Sequence, residues 1–292
     1  MKEQFNKGLL FTSLGSFWWG FIGVLYFQYV SFIGHIELVV HRCLWTAVML
    51  ILTTTFLAKW KTFFITISNK KNLVFLFFSG FLIFINWAVW IYAVATERII
   101  DASFGYFIMP IISVLLGYIF FKEKLNKKRF FSIFLVLLSI FILIFFNLKS
   151  LPWVGLIVAF SWAFYNLLRK KIKIDTDIGL LIESLYILPF AILAFYLITQ
   201  KGLNNFDISN PGLSLFLILA GPMTVIPLFL YVRGVELIGL GPTGMIFYIT
   251  PTLQFILGYF YYNEEFSVVK FVSFIIIWIA VIIYLKDLYE TN

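Results

Sequence analysis

The sequence predicts an all-α membrane protein with ten transmembrane helices arranged as two inverted five-helix repeats. Its composition, an internal duplication and the distribution of Lys and Arg predict this fold class. Of the 292 residues, 62% are hydrophobic and 12% are charged, whereas soluble domains average about 45–50% apolar and about 25% charged residues. No soluble fold of this size can bury so much apolar surface, so we expect lipid around the protein. The apolar runs do not alternate with polar residues, which favours helices over the strands of a membrane barrel.

Ten apolar runs are long enough to cross a bilayer as helices, each of which needs about 20 residues. The first run is too long for the hydrophobic part of a signal peptide and ends without a small-residue cleavage site, so we expect it to remain as the first span. Short connections separate the runs, and the longest has the Asn, Asp and Pro content of a turn. The expected spans are 8–29, 36–58, 73–95, 102–121, 130–147, 152–169, 178–199, 212–233, 241–262 and 268–286.

A duplicated stretch divides the chain into two repeats. Residues 106–125 and 247–266 align without a gap at an offset of 141, with six identities in twenty positions. Chance would give about two identities in a chain of this composition. The identical pairs are Ile108/Ile249, Pro110/Pro251, Leu116/Leu257, Gly117/Gly258, Tyr118/Tyr259 and Glu123/Glu264. We therefore predict a first repeat at 8–147 and a second at 152–287, which act as one transport unit.

Lys and Arg lie mostly in alternate connections, and this bias orients the helices because cytoplasmic loops are enriched in both residues. With the N-terminus inside, 17 of the 22 fall on the cytoplasmic side, four fall outside, and Arg42 lies within a span. Both termini are then cytoplasmic. Each repeat has an odd number of spans, so the second is inverted relative to the first. Such halves are typical of alternating-access transporters, with the substrate site near the midplane between them. Inverted repeats also build channels, but the sequence has no filter-like motif.

Ionisable residues within the spans are the first candidates for a site, because a charge in lipid needs a polar partner or water. His41 and Arg42 lie about one turn inside the second span, and Glu183 lies in the corresponding span of the other repeat. We expect a His–Arg–Glu cluster that binds an anionic or zwitterionic group, with His41 or Glu183 as a proton site. The alternative is a structural ion pair, or side chains that reach to the interface, where we also expect Glu37.

Polar and aromatic residues in other spans are candidates for orienting a ligand. The third span contains Asn86 and Trp90, and an intramembrane Asn either lines water or joins two helices by a hydrogen bond. Many aromatic residues instead form belts at the membrane interfaces. The aromatic candidates for the cavity wall also include Tyr106, Tyr165, Tyr231 and Tyr248.

The repeated residues of the duplicated stretch are candidates for gating. Pro110 and Pro251 each remove a backbone donor and crowd the carbonyl four residues earlier, which suggests kinks beside the pathway, although prolines are common in membrane helices. Gly117 and Gly258 allow close helix packing. Glu123 and Glu264 end their helices near water, where they either act as gates or only pair with loop cations. The basic runs 127–129 and 169–171 are interpreted as topology signals.

Several other classes of function are disfavoured by the residues present. No basic face with base-stacking aromatics indicates nucleic acid. Cys43 is the one cysteine, and His35 and His41 have poor helical spacing for a shared metal, so we expect neither a metal nor another cofactor. No nucleotide-binding loop, HExxH motif or paired-acid constellation indicates catalysis, so we assign no catalytic residue.

Segments along essentially the whole chain carry a resemblance to a known family. They are ELVVHRCLW (37–45), NWAVWIYAV (86–94), DASFGYFIMP (101–110), LLGYIFFKEKL (115–125), AFSWAFYNLLRKKI (159–172), LLIESLYILP (180–189) and the stretch 247–266. The chain resembles the drug/metabolite transporter superfamily, specifically EamA-type permeases of the RarD group, also labelled chloramphenicol-sensitivity proteins. Met109 departs from the pattern, in which an Asn often precedes the proline.

The resemblance implies ten helices, two tandem EamA repeats, cytoplasmic termini and a carrier in the bacterial inner (plasma) membrane. Relatives export amino acids and related metabolites, others carry nucleotide sugars, and the resemblance does not fix the substrate. We expect a secondary active or facilitative transporter, an exporter or permease, for a small polar or amphiphilic metabolite or drug. The alternatives are a membrane scaffold or sensor, or an intramembrane enzyme. Coupling to protons, and a monomer or a homodimer, are left open.

Overall fold

A computed structural model describes residues 2–95, 99–147, 153–172, 174–207, 209–261 and 268–291. This part of the chain is helical and contains no β-strand. The helices are α1 (Lys2–Phe17), α2 (Gly23–Tyr29), α3 (His35–Phe56), α4 (Trp60–Ile67), α5 (Lys70–Ala95), α6 (Ile99–Phe121), α7 (Lys127–Asn147), α8 (Trp153–Lys171), α9 (Thr176–Gln200), α10 (Pro211–Ile238), α11 (Leu240–Ile246), α12 (Ile249–Phe260) and α13 (Val268–Thr291), with a π-helical segment (Trp18–Ile22) between α1 and α2.

Seven of these helical stretches are long and apolar enough to cross a membrane, and Gly105–Phe121 of α6 is a shorter apolar helix. The all-α membrane fold is therefore confirmed, while the count of ten spans stays a prediction. The short helix α4 was not predicted; it occupies what the sequence suggests is a loop. Large apolar side chains point outward along the helices, as Phe130 (68% exposed) and Phe145 (71%) do on α7. Such a surface fits a lipid environment.

The packing of the helices repeats between the two halves of the chain. Helices α1, α3 and α5 of the first half correspond to α8, α9 and α10 of the second. Helix α1 packs on α10, and likewise its counterpart α8 packs on α5. Helix α3 also packs on α10, and its counterpart α9 packs on α5. Three further pairs join equivalent helices: α3 with α9, α6 with α11, and α7 with α13. This is the pattern expected when two halves are related by a two-fold axis.

Two of the apolar helices are interrupted. The first changes to π-helical hydrogen bonding at Trp18–Ile22, and such segments are frequently found at functional sites. The second breaks between α11 and α12, four residues before Pro251. Because proline has no N–H, the carbonyl of Phe247 instead accepts a hydrogen bond of 2.9 Å from the backbone N–H of Thr250. Helix α6 continues through Pro110, so only one of the two prolines interrupts its helix.

Candidate binding cavity

A cavity of about 70 Å³ lies between the two halves of the chain. The first half contributes residues from the π-helical segment and from α2, α3, α5 and α6. The second half contributes residues from α8, from α12 and from the turn between α11 and α12. The lining residues are Trp19, Gly23, Val24, Phe27, Arg42, Asn86, Trp87, Trp90, Tyr106, Met109, Val158, Trp162, Phe247, Thr250 and Gln254. A water needs about 10–15 Å³ of such a volume, so the cavity has room for a few waters.

Arg42 is the one charged side chain among the described residues that line this cavity. Its Nε donates a hydrogen bond of 2.9 Å to Thr224 Oγ1 on α10. Its guanidinium carbon lies 4.5 Å from the ring centroid of Trp87 and 5.3 Å from that of Phe27. Within the described part of the chain no carboxylate pairs with it, so aromatic faces and one hydroxyl take the place of an ion-pair partner.

Aromatic rings form most of the remaining wall. Trp19 meets Trp162 edge to face at a centroid distance of 5.0 Å, and the Tyr106 ring lies 5.8 Å from the Phe247 ring. These contacts join the first half to the second across the cavity. Gly20 permits the approach, because a Cβ at this position would lie 2.9 Å from the carbonyl oxygen of Thr250.

Four of the nine sequence-predicted binding residues line the cavity: Arg42, Asn86, Trp90 and Tyr106. The amide of Asn86 also holds two helices together, since its Nδ2 donates to Val158 O at 2.9 Å and to Ser161 Oγ at 3.1 Å. Asn86 therefore both lines the cavity and joins α5 to α8.

The other three predicted tyrosines are buried and do not line this cavity. Tyr165 donates from its hydroxyl to Glu183 Oε2 at 3.2 Å. Tyr248 donates to Phe107 O at 2.8 Å and so ties the α11–α12 turn to α6. Tyr231 packs behind the wall, with its ring 5.4 Å from that of Trp162. These residues support the cavity from outside.

The expected His–Arg–Glu cluster does not form, because each of its members has different neighbours. His41 Nδ1 accepts a hydrogen bond of 3.2 Å from Trp45 Nε1, and its Nε2 lies 3.6 Å from Glu37 Oε1. Glu37 is buried within the protein, and it accepts hydrogen bonds from Asn205 N at 2.6 Å and Nδ2 at 2.7 Å. Glu37 and His41 thus attach the connection between α9 and α10 to α3.

Glu183 pairs with Arg169 instead of Arg42. Glu183 Oε1 lies 3.6 Å from Arg169 Nη1, with both side chains almost completely buried. Ser79 Oγ donates to the same carboxylate at 2.5 Å. Arg169 is therefore more than a topology signal. The sequence does not indicate this role, because Arg169 begins a basic run at a helix end. Gly179 is the sequence feature that matches it, because any Cβ there would overlap the guanidinium.

A second, smaller cavity of about 10 Å³ lies beside Glu183. Trp87 contributes to the walls of both cavities and separates Glu183 from the space next to Arg42. Arg42 and Glu183 are 141 positions apart in the sequence, the offset of the duplicated stretch. Equivalent positions of α3 and α9 thus carry opposite charges, and each bonds to a hydroxyl on a helix of the other half.

Glu123 links the end of α6 to the second half of the chain. Its carboxylate accepts 2.9 Å hydrogen bonds from the backbone N–H groups of Leu240 and Gly241, and Lys170 Nζ lies 2.7 Å from it. We call this set of contacts the Glu123 latch. Gly117 makes room for it, because a Cβ there would lie 2.5 Å from Glu123 Oε2. Gly239 has a φ of 98°, which favours glycine. A Cβ added there would lie 2.5 Å from Glu123 Oε1.

The end of the molecule that contains the Glu123 latch is closed by further polar contacts. Lys59 Nζ lies 2.7 Å from Asp177 Oδ2. Partial burial disfavours the charged ammonium, but the hydrogen bond and charge of Asp177, together with Asp175, outweigh it and raise the pKa of Lys59. At the same end, Arg129 Nε donates to Asp287 Oδ2 at 2.8 Å. The cavity lies nearer the opposite end, because its lining residues Arg42, Tyr106 and Val158 lie in the first halves of α3, α6 and α8.

The remaining predicted gating residues occupy several places. Pro110 is buried, and its carbonyl oxygen would lie 3.1 Å from a Cβ at Gly244, so α6 and α11 touch beside it. Gly258 lies in α12, and Glu264 lies outside the described residues. The sequence does not indicate that Trp87, Trp162 and Gln254 line the cavity. They lie in apolar spans, as many other residues do.

No group of three His, Cys, Asp or Glu side chains that could hold a metal ion occurs among the residues the structure describes. The cavity offers one guanidinium, neutral polar groups and aromatic faces. Such an arrangement can bind an anionic group and pack against an apolar body.

Comparison with known proteins gives consistent matches along the chain. The model of the EamA-like transporter family matches residues 6–145 and again residues 150–286. The uncharacterized transporter YojE of Bacillus subtilis is 34% identical, over 96% of this chain and 93% of its own. The protein RarD of Escherichia coli is 31% identical, over 99% of this chain and 97% of its own.

A more distant relative is the chloramphenicol-sensitive protein RarD of Pseudomonas aeruginosa, which is 24% identical over 85% of this chain and 83% of its own. A solved crystal structure superposes with a TM-score of 0.71 at 13% identity, over 95% of this chain and 96% of its own. At that identity the superposition shows a shared fold and nothing more.

Proposed function

Because the chain belongs to the EamA-like transporter family and is a multi-pass membrane transporter, we propose that it carries a small molecule by alternating access through the cavity beside Arg42. The two halves, 8–147 and 152–287, are inverted relative to each other. They rock about the cavity so that it opens to one side of the membrane at a time. The protein acts as a permease or exporter in the bacterial inner membrane, with both termini in the cytoplasm.

One observation carries this proposal: the cavity beside Arg42 has walls from both halves of the chain and contains an arginine for which the described residues provide no carboxylate partner. A charge buried in a membrane is costly and is typically retained for a function. A relative movement of the halves would open or close such a cavity, because the rings of Trp19 and Trp162 meet across it.

The Glu123 latch is the proposed gate on the cytoplasmic side. With the N-terminus inside, the end of α6, Lys170 and the start of α11 all lie at the cytoplasmic face, and the cavity lies in the outer half. The structure then corresponds to a state closed towards the cytoplasm. Opening to the cytoplasm requires Glu123 to release the backbone of the second half.

The cavity residues have different roles in binding the substrate. Arg42 binds an anionic group of the substrate, while Asn86 and Tyr106 orient it and Trp90 packs against its apolar part. Met109 has a thioether at the position where an Asn often precedes the proline in the RarD pattern, so this part of the wall is apolar. Tyr165, Tyr231 and Tyr248 hold the wall in place.

Glu183 has a structural role in this proposal. Arg169 lies next to it, and Ser79 and Tyr165 donate hydrogen bonds to it, so the protein itself supplies partners for this carboxylate. This pairing favours a structural ion pair over the proton site that the sequence suggests at Glu183.

The test is the accessibility of a cavity cysteine from each side of the membrane. Gln254→Cys in a Cys43→Ala background is reacted with a membrane-impermeant maleimide in right-side-out and inside-out vesicles. We expect reaction mainly from the outer face. Adding Glu123→Gln weakens the latch and should raise the rate from the cytoplasmic face several-fold while lowering the rate from outside.

The matched control is Glu3→Gln, which removes an exposed carboxylate whose partner is Lys7 and should change neither rate. If position 254 reacts rapidly from both faces in the same preparation, the protein contains a continuous pore. If Glu123→Gln changes neither rate, the latch is not a gate.

A further inference from the structure

We propose that the substrate is a compact aromatic monocarboxylate without an amino group. This inference depends on the proposed function, since it takes the cavity beside Arg42 as the substrate site. It names a ligand class by three properties: one negative charge, no positive charge and a planar apolar body.

The single negative charge follows from the single guanidinium. Arg42 is the one charged side chain among the described residues of the wall. Its Nε donates to Thr224, and no other described residue accepts a hydrogen bond from its guanidinium. Its remaining N–H groups can donate two parallel hydrogen bonds to a carboxylate. A phosphate monoester carries about −1.5 to −2 charges, so one arginine would leave part of that charge unpaired in a medium where charge is costly.

The absence of an amino group follows from the partners of the nearby acids. The described residues of the wall include no Asp or Glu. Two acids whose side chains the structure describes, Glu37 on α3 and Glu183 beside the second cavity, are already paired, Glu37 with Asn205 and His41 and Glu183 with Arg169. A ligand ammonium is a compact, strongly hydrated charge and would lose its water without gaining a carboxylate. It would also be repelled by Arg42, which already covers the Trp87 face.

The planar body follows from the rings of the wall, which present edges and faces from both halves of the chain. An aromatic ring packs on such surfaces with offset or edge-to-face geometry. The cavity of about 70 Å³ is smaller than the roughly 150 Å³ engineered cavity that accepts benzene. A ligand with one ring is therefore already large enough to require the walls to separate, and a body of several rings would require a larger separation.

A matched series of probes tests these properties on the full-length protein in lipid nanodiscs, with binding followed by tryptophan fluorescence. The probes are 3-phenylpropionate, phenylalanine, phenethylamine, phenyl phosphate and butyrate. We expect 3-phenylpropionate to bind most tightly. Phenylalanine, phenyl phosphate and butyrate each lack one property, and phenethylamine lacks both charge properties. We expect each of the four to bind at least about tenfold more weakly.

Variants at Arg42 locate the binding. Arg42→Gln should weaken the binding of 3-phenylpropionate about 10- to 100-fold, which is the range for a lost hydrogen bond to a charged group. Arg42→Lys keeps the charge but not the planar fork and should give an intermediate loss. Arg233→Gln removes the same charge from an exposed arginine at the end of α10 and should not change binding. Melting curves of the unliganded variants establish that each is folded.

Counterflow of each probe in proteoliposomes separates this inference from the proposed function. Binding of 3-phenylpropionate through Arg42 without counterflow would support the ligand class and contradict transport. Counterflow of phenethylamine, or of phenylalanine at the same rate as 3-phenylpropionate, would support transport and overturn the ligand class. The class is also overturned if 3-phenylpropionate does not bind, or if Arg42→Gln binds it as tightly as the wild type.

Discussion

At the scale of single residues, the partners of the buried arginines distinguish structure from function. Arg129 bonds to Asp287 and Arg169 lies next to Glu183, and both pairs satisfy charges within the protein. Arg42 has aromatic rings and a threonine hydroxyl as its neighbours and borders empty space. The sequence indicates that Arg42 is special, because it lies inside a span. It does not reveal Arg169, because a basic run at a helix end has the same appearance whether its first residue faces water or the core.

The pair Arg169–Glu183 gives a prediction about stability. Glu183→Gln alone leaves a buried guanidinium without its counter-charge and should lower the free energy of unfolding by about 3–5 kcal/mol. Arg169→Met alone should be similarly harmful. The double variant removes both charges, so we expect it to recover most of the loss and to retain counterflow of 3-phenylpropionate. Unfolding is followed by SDS titration in mixed micelles.

The same double variant tests proton coupling through Glu183. A structural pair predicts that any effect of a pH gradient on flux is the same in wild type and double variant. If the double variant is folded and active in counterflow but no longer responds to a pH gradient, Glu183 is the proton site.

At the scale of helices, the two repeated prolines have different outcomes. Pro251 follows a break between α11 and α12, whereas α6 continues through Pro110. The chain around the break is held from several directions, since Tyr248 bonds to Phe107 and Thr250 Oγ1 to Ser16 O at 2.9 Å. The sequence correctly marks both positions as places where a backbone donor is lost. It cannot show which helix breaks, because this depends on neighbours that are distant in the chain.

The break at Pro251 should contribute to the movement of the halves. Pro251→Ala restores an N–H that can bond to the Phe247 carbonyl, and alanine favours a helix interior over proline by about 3 kcal/mol. We expect a higher melting temperature and a slower change of access at the Gln254→Cys position. The labelling assay in the Glu123→Gln background measures this change.

Two prolines serve as comparisons. Pro110→Ala should have a smaller effect on access, because α6 is already continuous, and Pro222→Ala in α10 has no repeated counterpart and should have little effect. Equal slowing by all three substitutions would show that the break has no particular role in the movement.

At the scale of the whole molecule, the sequence predicts the membrane fold and the duplication more completely than the site. Composition and the repeated stretch 106–125 are global signals, and the family model matches the chain twice. The cavity depends on which faces of the helices meet, and apolar residues surround most helices of a membrane protein. Trp87 and Trp162 therefore could not be separated from lipid-facing aromatics, and the π-helical segment at Trp18–Ile22 has no sequence signature here.

The most direct test of the inverted architecture compares two equivalent positions, 141 residues apart, at the first residues of α7 and α13. Lys127→Cys and Val268→Cys, each exposed and each in a Cys43→Ala background, are reacted with an impermeant maleimide in vesicles of both orientations. If the two halves are inverted, position 127 should react from the cytoplasmic face and position 268 from the outer face. Reaction of both from the same face would show that the halves are parallel, and would contradict a cavity that opens alternately between inverted repeats.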